Sequence, residues 1–160
     1  MEINLKKINF TFKNKPLLIG GKAMEYYGLR KSGNDIDFVV SKFDFERLVK
    51  KYPQQLKNLC GDFGVVVYEF EIWKTIDYFD YNYLSQLAIE KKDYLVISLE
   101  KLLFLKSLAS KIKKYHDDMN LIISKINSLQ GNKYKAIKRE NEKIIKDLKN
   151  IKYIKNIDKF

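Results

Sequence analysis

The stretch whose reading decides the fold is LLIGGKAMEYYGLRKSGNDIDFVV, residues 17–40. An apolar run after Pro16 has the look of a short strand and breaks at Gly20–Gly21. KAMEYYG then suits a short helix stopped by Gly28. The loop RKSGN is rich in turn formers. DIDFVV returns as a strand, with Ile36, Phe38 and Val40 on one face and Asp35, Asp37 and Val39 on the other. Two features in it carry chemistry. Glycines at a strand-to-helix turn let a phosphate approach the backbone, and the helix start beyond them offers unpaired N–H groups. Two carboxylates at i and i+2 of a strand point the same way, about 6.5–7 Å apart, and repel unless a cation lies beside them. Either feature alone reads as a turn or as a solvated strand face. Their order and spacing together suit a site for a triphosphate and a hard cation, Mg²⁺ or Mn²⁺.

Outward from this stretch, FDFERLVKKY suits a helix with Asp44 near its start and Pro53 at its end. VVVYEFEIW reads as one strand and TIDYF as a second, pairing antiparallel. Ser98 suits an N-cap for a helix LEKLLFLKSLASKIKKY. Another helix starts near residue 117. Gly131–Asn132 reads as a break, followed by a charged helix with a weak apolar stripe at Ile137, Ile144, Ile145 and Leu148. The fold class expected is α+β: a small mixed sheet with helices on one side (residues 1–95), then a helical C-terminal region (residues 96–160) packed on it.

Holding two cations takes a third carboxylate. Asp77, in TIDYF, is the first candidate, on a strand beside DIDFVV; Asp80, Glu69 and Glu71 compete. Lys106 shares an apolar helical stripe with Leu99, Leu102, Leu103 and Ala109, so it either snorkels outward or meets an anion in a cleft. Arg30 and Lys31 precede the aspartates and could meet phosphate. His116, beside Asp117 and Asp118, reads as a helix-surface residue, and Tyr26, Tyr27 and Trp73 as packing.

The segment IGGKAMEYYGLRKSGNDIDFVV resembles the motif of the DNA polymerase β-type nucleotidyltransferase superfamily: Gly-Gly or Gly-Ser, a helix, then an Asp-hydrophobic-Asp strand. It is closest to the minimal nucleotidyltransferases and the AbiEii-like toxins of abortive-infection and toxin–antitoxin systems. VISLEKLLFLKSLASKIKKYHDDMNLI is similar to their helical part. The resemblance implies a metal-dependent transfer of a nucleoside monophosphate from an NTP to an acceptor hydroxyl. Asp35, Asp37 and Asp77 would be the catalytic carboxylates and would bind Mg²⁺. Gly20 and Gly21 would contact the phosphates, Lys106 the triphosphate, and Asp117 or Asp118 would match a following acidic position. Lys22 stands where a small residue is common and could aid phosphate binding.

The chain has 160 residues, 46% of them hydrophobic, and a net charge of +11. Nine lysines and one arginine against four acids place +6 of it in residues 131–160. Such a field attracts RNA or nucleotides. Tail charge mildly favours RNA such as tRNA as the acceptor; a protein acceptor and an antitoxin partner also fit the resemblance. Cys60 is the only cysteine, so no intramolecular disulfide forms. The N-terminus is too polar for a signal peptide, and no run approaches a membrane span, so a cytoplasmic protein is expected. Two rival readings are a non-catalytic nucleotidyltransferase-like binding module and a basic RNA-binding protein without a nucleotide site.

Overall fold

The computed structural model describes residues 3–59 and 61–150. Cys60 and the basic residues beyond 150 lie outside the described residues, as do the side chains of Ile145 and Leu148. The chain divides into a first unit ending at Ile122 and a second beginning at Ile123. The fold class is α+β.

In the first unit, β1 (Leu17–Leu18), β2 (Ile36–Val39), β3 (Leu56–Leu59), β4 (Asp62–Val67), β5 (Phe70–Trp73), β8 (Ile89–Glu90) and β9 (Leu95–Val96) form a seven-stranded mixed sheet in the order β3-β4-β5-β2-β1-β9-β8. β6 (Thr75–Ile76) and β7 (Phe79–Asp80) form a separate two-stranded hairpin. Helix α1 (Gly20–Tyr26) joins β1 to β2, α2 (Lys42–Lys51) follows β2, α3 (Tyr81–Leu84) follows β7, and α4 (Leu99–Leu108) follows β9. Helix α5 (Lys113–Asn150) begins in the first unit.

Burial follows the alternation of DIDFVV as far as Phe38; Val39, on the face of the aspartates, is fully buried too. Ile36, Phe38 and Val40 are buried, and Phe38 stacks on Phe70 at 6.4 Å. Helix α1 stops where Gly28 takes φ +67°, a conformation that costs glycine little. Ser41 caps α2 and Ser98 caps α4, each accepting the N–H three residues on at 3.2 Å. Asp44 is fully buried because its carboxylate has four donors: Lys13 N–H at 2.8 Å, Asn14 N–H at 2.9 Å, the Ser41 hydroxyl at 3.0 Å and Arg47 at 3.0 Å. It ties the N-terminal segment to α2.

Four local expectations are corrected. LEKLLFLKSLASKIKKY is not one helix: α4 ends at Leu108 and α5 begins at Lys113. VVVYEFEIW is two strands: the chain reverses at Tyr68–Glu69, with Tyr68 at φ 54°, and Val67 pairs with Phe70. TIDYF is not a strand beside β2. Asp77 (φ 48°) and Tyr78 (φ 71°) form the two-residue turn between β6 and β7, a geometry that suits the right-handed twist of a hairpin. The Asp62 carboxylate holds that turn by accepting from the Thr75 hydroxyl at 2.8 Å and the Asp77 N–H at 2.6 Å. Finally, α5 runs through Gly131–Asn132 without a break. One helical glycine costs about 1 kcal/mol, too little to interrupt a long helix. Among the described residues no helix is long and apolar enough to cross a membrane.

Candidate functional site

The site grows from the register of the sheet. β2 runs parallel to β5, and Asp37 lies directly opposite Glu71. Neighbours in register share a face of the sheet, so the two carboxylates stand side by side. On the other side of β2, the chain leaves β1 through Ile19 into Gly20. A Cβ on Gly20 would overlap the Asp37 carboxylate, and Gly20 sits at φ +65°. Only glycine meets both demands. Ile19, at the helix N-cap, gives no side-chain hydrogen bond, so no side chain of the N-cap covers the first turn of α1.

Gly20, Asp37, Glu71, Trp73, Asp77 and Lys106 line one cavity of about 500 Å³, with Leu102 and Leu105 of α4 giving it an apolar wall. Asp37 is partly buried there and its carboxyl is pushed up to about 6. Burial is the main cause, followed by the charges of Glu71 and Asp35; Lys106 and the Trp73 indole N–H pull the other way. Two negative charges crowding a partly buried carboxylate form with it a set that a divalent cation would relieve. Among the described residues no three His, Cys, Asp or Glu side chains stand in metal-holding geometry. A Mg²⁺ ion held by one or two carboxylates plus substrate phosphates needs no such cage.

Behind the cavity lies a charge triad. Asp118 of α5 is 1% exposed. It accepts from Arg30 Nε at 2.5 Å and Nη2 at 2.9 Å, and Lys106 Nζ is 3.0 Å away. Lys106, 7% exposed, also faces the Tyr115 ring at 4.5 Å. Burial pushes the Asp118 carboxyl up, but its bonds to Arg30 and Lys106 outweigh this and hold it below the usual range. The triad joins the loop before Asp35 to α4 and to the start of α5. It leaves a net positive charge beside the Asp35–Asp37–Glu71 cluster, and Asp35 in turn acts on Arg30 through space.

The expected residues divide accordingly. Gly20, Asp37, Asp77 and Lys106 meet at the cavity. Asp35 is exposed just before β2 and does not line the cavity, though its charge acts on Asp37. Asp77 reaches the cavity from an exposed turn, and the strand beside β2 carries Glu71 instead. Gly21, Lys22 and Arg30 do not line the cavity. A Cβ on Gly21 would press on Ser32 at 3.3 Å, Lys22 bonds Glu25 at 3.1 Å, and Arg30 is committed to Asp118. Asp118 is buried while Asp117 and His116 are exposed.

Gly20→Ala is expected to destabilise the fold by about 2 kcal/mol or more, from the positive φ and the displaced Asp37 carboxylate together. Urea unfolding measures this; wild-type stability would show that neither constraint holds.

No family model matches the chain, and neither a curated protein nor a solved structure matches it.

Proposed function

We propose that the cavity is the active site of a metal-dependent nucleotidyltransferase, moving a nucleoside monophosphate from an NTP to an acceptor hydroxyl. The observation that carries this is the convergence of the Gly20 turn, the Asp37–Glu71 pair and Lys106 on one cavity. In the reaction the acceptor oxygen bonds to the α-phosphorus, the bond from that phosphorus to the bridging oxygen breaks, and pyrophosphate leaves. Asp35 and Asp37 would hold Mg²⁺ or Mn²⁺ together with substrate phosphates, and Glu71 would stand beside them where Asp77 was first expected. Bound there, the cation would neutralise charge on the triphosphate.

The remaining work falls to this chain's own groups. The Gly20 turn lets phosphate oxygens approach the backbone at the start of α1. Lys106 supplies positive charge at the wall of the cavity, positioned by Asp118 and facing the charge that develops on the leaving group. Glu71, in register beside Asp37, would take the acceptor's proton. Leu102 and Leu105 limit water, which strengthens each of these charge interactions.

The acceptor would be RNA such as tRNA, or a protein, and the protein would act in the cytoplasm. The resemblance of residues 17–40 supports a role as the toxin of a toxin–antitoxin or abortive-infection system, with an antitoxin as partner. The rival, a nucleotidyltransferase-like binding module, is favoured by one observation: Arg30 and Lys106 are both already bonded to Asp118. Incubation with labelled NTPs, Mg²⁺ and either bulk tRNA or a protein mixture separates the two. Label transfer by wild type, lost in Asp35→Ala/Asp37→Ala, is the expected result. Triphosphate binding without transfer to any acceptor would favour the binding module.

A further inference from the structure

A second surface of the first unit shares no lining residue with the cavity described above. Two clefts, of about 850 and 610 Å³, flank a ridge at Phe10–Thr11. Phe10 and Phe12 meet edge to face at 4.9 Å on this ridge. The Arg47 guanidinium lies 4.9 Å from the Phe10 ring and 5.4 Å from the Phe43 ring, and Lys13 Nζ is 5.0 Å from Phe43. Phe43 is 51% exposed, so much of its ring stays open to solvent beside these cations. Lys6, Lys13 and Lys92 line the first cleft, and Lys50 the second; all four are exposed, and none is in an ion pair among the described residues.

Negative charge at this surface is already committed or sparse. Asp44 is fully buried under its four donors. Glu46 faces Lys42 at 4.0 Å, Glu90 bonds Lys15 at 2.6 Å, and Asp93 alone among the lining residues of the two clefts is an acid. The surface thus alternates flat rings with unpaired cations on both flanks of one ridge.

We propose that this surface binds single-stranded nucleic acid, with phosphates on its lysines and bases stacked on its phenylalanine rings. Stacking of a base on an aromatic ring is tolerant of sequence, and lysines in a groove follow the backbone by charge. Arg47 holds Phe10 and Phe43 in place by cation–π contact and adds its own plane to the series. A strongly acidic peptide would match the charge but leave the exposed ring without a flat partner. The charge of the last thirty residues is not needed for this surface, and the nucleotidyl-transfer reading is not needed either.

Fluorescence anisotropy with labelled RNA and DNA oligomers of about twelve nucleotides tests it, on the full chain without NTP or metal. Both oligomers are expected to bind. Phe43→Ala should weaken binding by between about fivefold and a hundredfold. Lys13→Gln/Lys50→Gln should also weaken it, and lower the slope of log affinity against log salt by about 1.4. Both variants change exposed side chains, and circular dichroism establishes that they are folded. Wild-type affinity and salt slope in both folded variants would overturn the proposal. So would displacement of the oligonucleotides by polyglutamate at equal charge concentration.

Discussion

The Asp37→Asn protein is expected to lose nucleotidyl transfer by a factor of about 10²–10³ or more while melting higher than wild type at pH 7.5 in EDTA. The two effects share one cause. Asp37 is held partly buried beside Glu71 and Asp35, so its charged form is costly in the metal-free fold. Its carboxyl rises from an ordinary 3.8 to about 6, which at 1.36 kcal/mol per pH unit corresponds to about 3 kcal/mol. The sign follows from proton binding. Between about pH 4 and 6 the unfolded chain has released this proton and the folded chain still holds it, so stability falls as pH rises. Above about 6 the cost is complete. Asparagine carries no charge, so its advantage should be absent at pH 4, open between 4 and 6, and stay constant above. Thermal melts of both proteins across this range measure it. A gap that does not change with pH would show that Asp37 is not under this strain.

Asp118→Ala is expected to destabilise the first unit by about 3–5 kcal/mol. It removes the anion shared by Arg30 and Lys106 and leaves Lys106, 7% exposed, as an unpaired buried charge. Arg30 is less confined and can turn toward water. Lys106→Met added to Asp118→Ala should therefore recover much of the loss, because the unpaired cation goes with it. The pH dependence runs opposite to that of Asp37. The Asp118 carboxyl lies below its ordinary value in the fold, so its contribution is present above about pH 4 and is lost as acid titrates it. Chemical denaturation of the single and double variants at pH 7 gives the coupling. Equal stability of the two would mean that the triad is not energetically joined.

The part of the fold that was legible from sequence is the part written in local chemistry. Gly28 announces the end of α1 and Ser98 the start of α4, because a positive φ and an N-cap each demand a small set of residue types. The burial of Ile36, Phe38 and Val40 follows from period-two alternation; that of Val39, on the opposite face, does not. Turns lacking their usual residues were not legible. Tyr68–Glu69 and Asp77–Tyr78 reverse the chain without glycine, proline or asparagine, and the second is held by Asp62, fifteen residues earlier. Gly131–Asn132 carries a turn signal that helix continuity overrides.

The same division holds at the candidate site. Gly20 and Asp37 could be singled out because their spacing is local. Glu71 was a competitor only, since its place depends on which strand lies beside β2, and the misread hairpin assigned that place to Asp77. FEIW did hold a signal: Glu71 and Trp73 share a face, and a carboxylate at the centre of an apolar strand asks for a reason. The choice of Asp118 over Asp117 turns on a helix rotation of one residue, which the break between α4 and α5 at residues 109–112 sets. Arg30 was expected to meet a phosphate; its partner is a carboxylate on a helix distant in sequence.

The most direct test of the nucleotidyl-transfer reading compares the four NTPs labelled at the α-phosphate with the same four labelled at the γ-phosphate, with Mg²⁺, tRNA and protein acceptors. The expected result is acceptor labelling from the α position only, release of pyrophosphate, and loss of both in folded Asp37→Asn. Labelling from the γ position, or no labelling together with no Mg²⁺-dependent triphosphate binding by the folded wild-type chain, would contradict it.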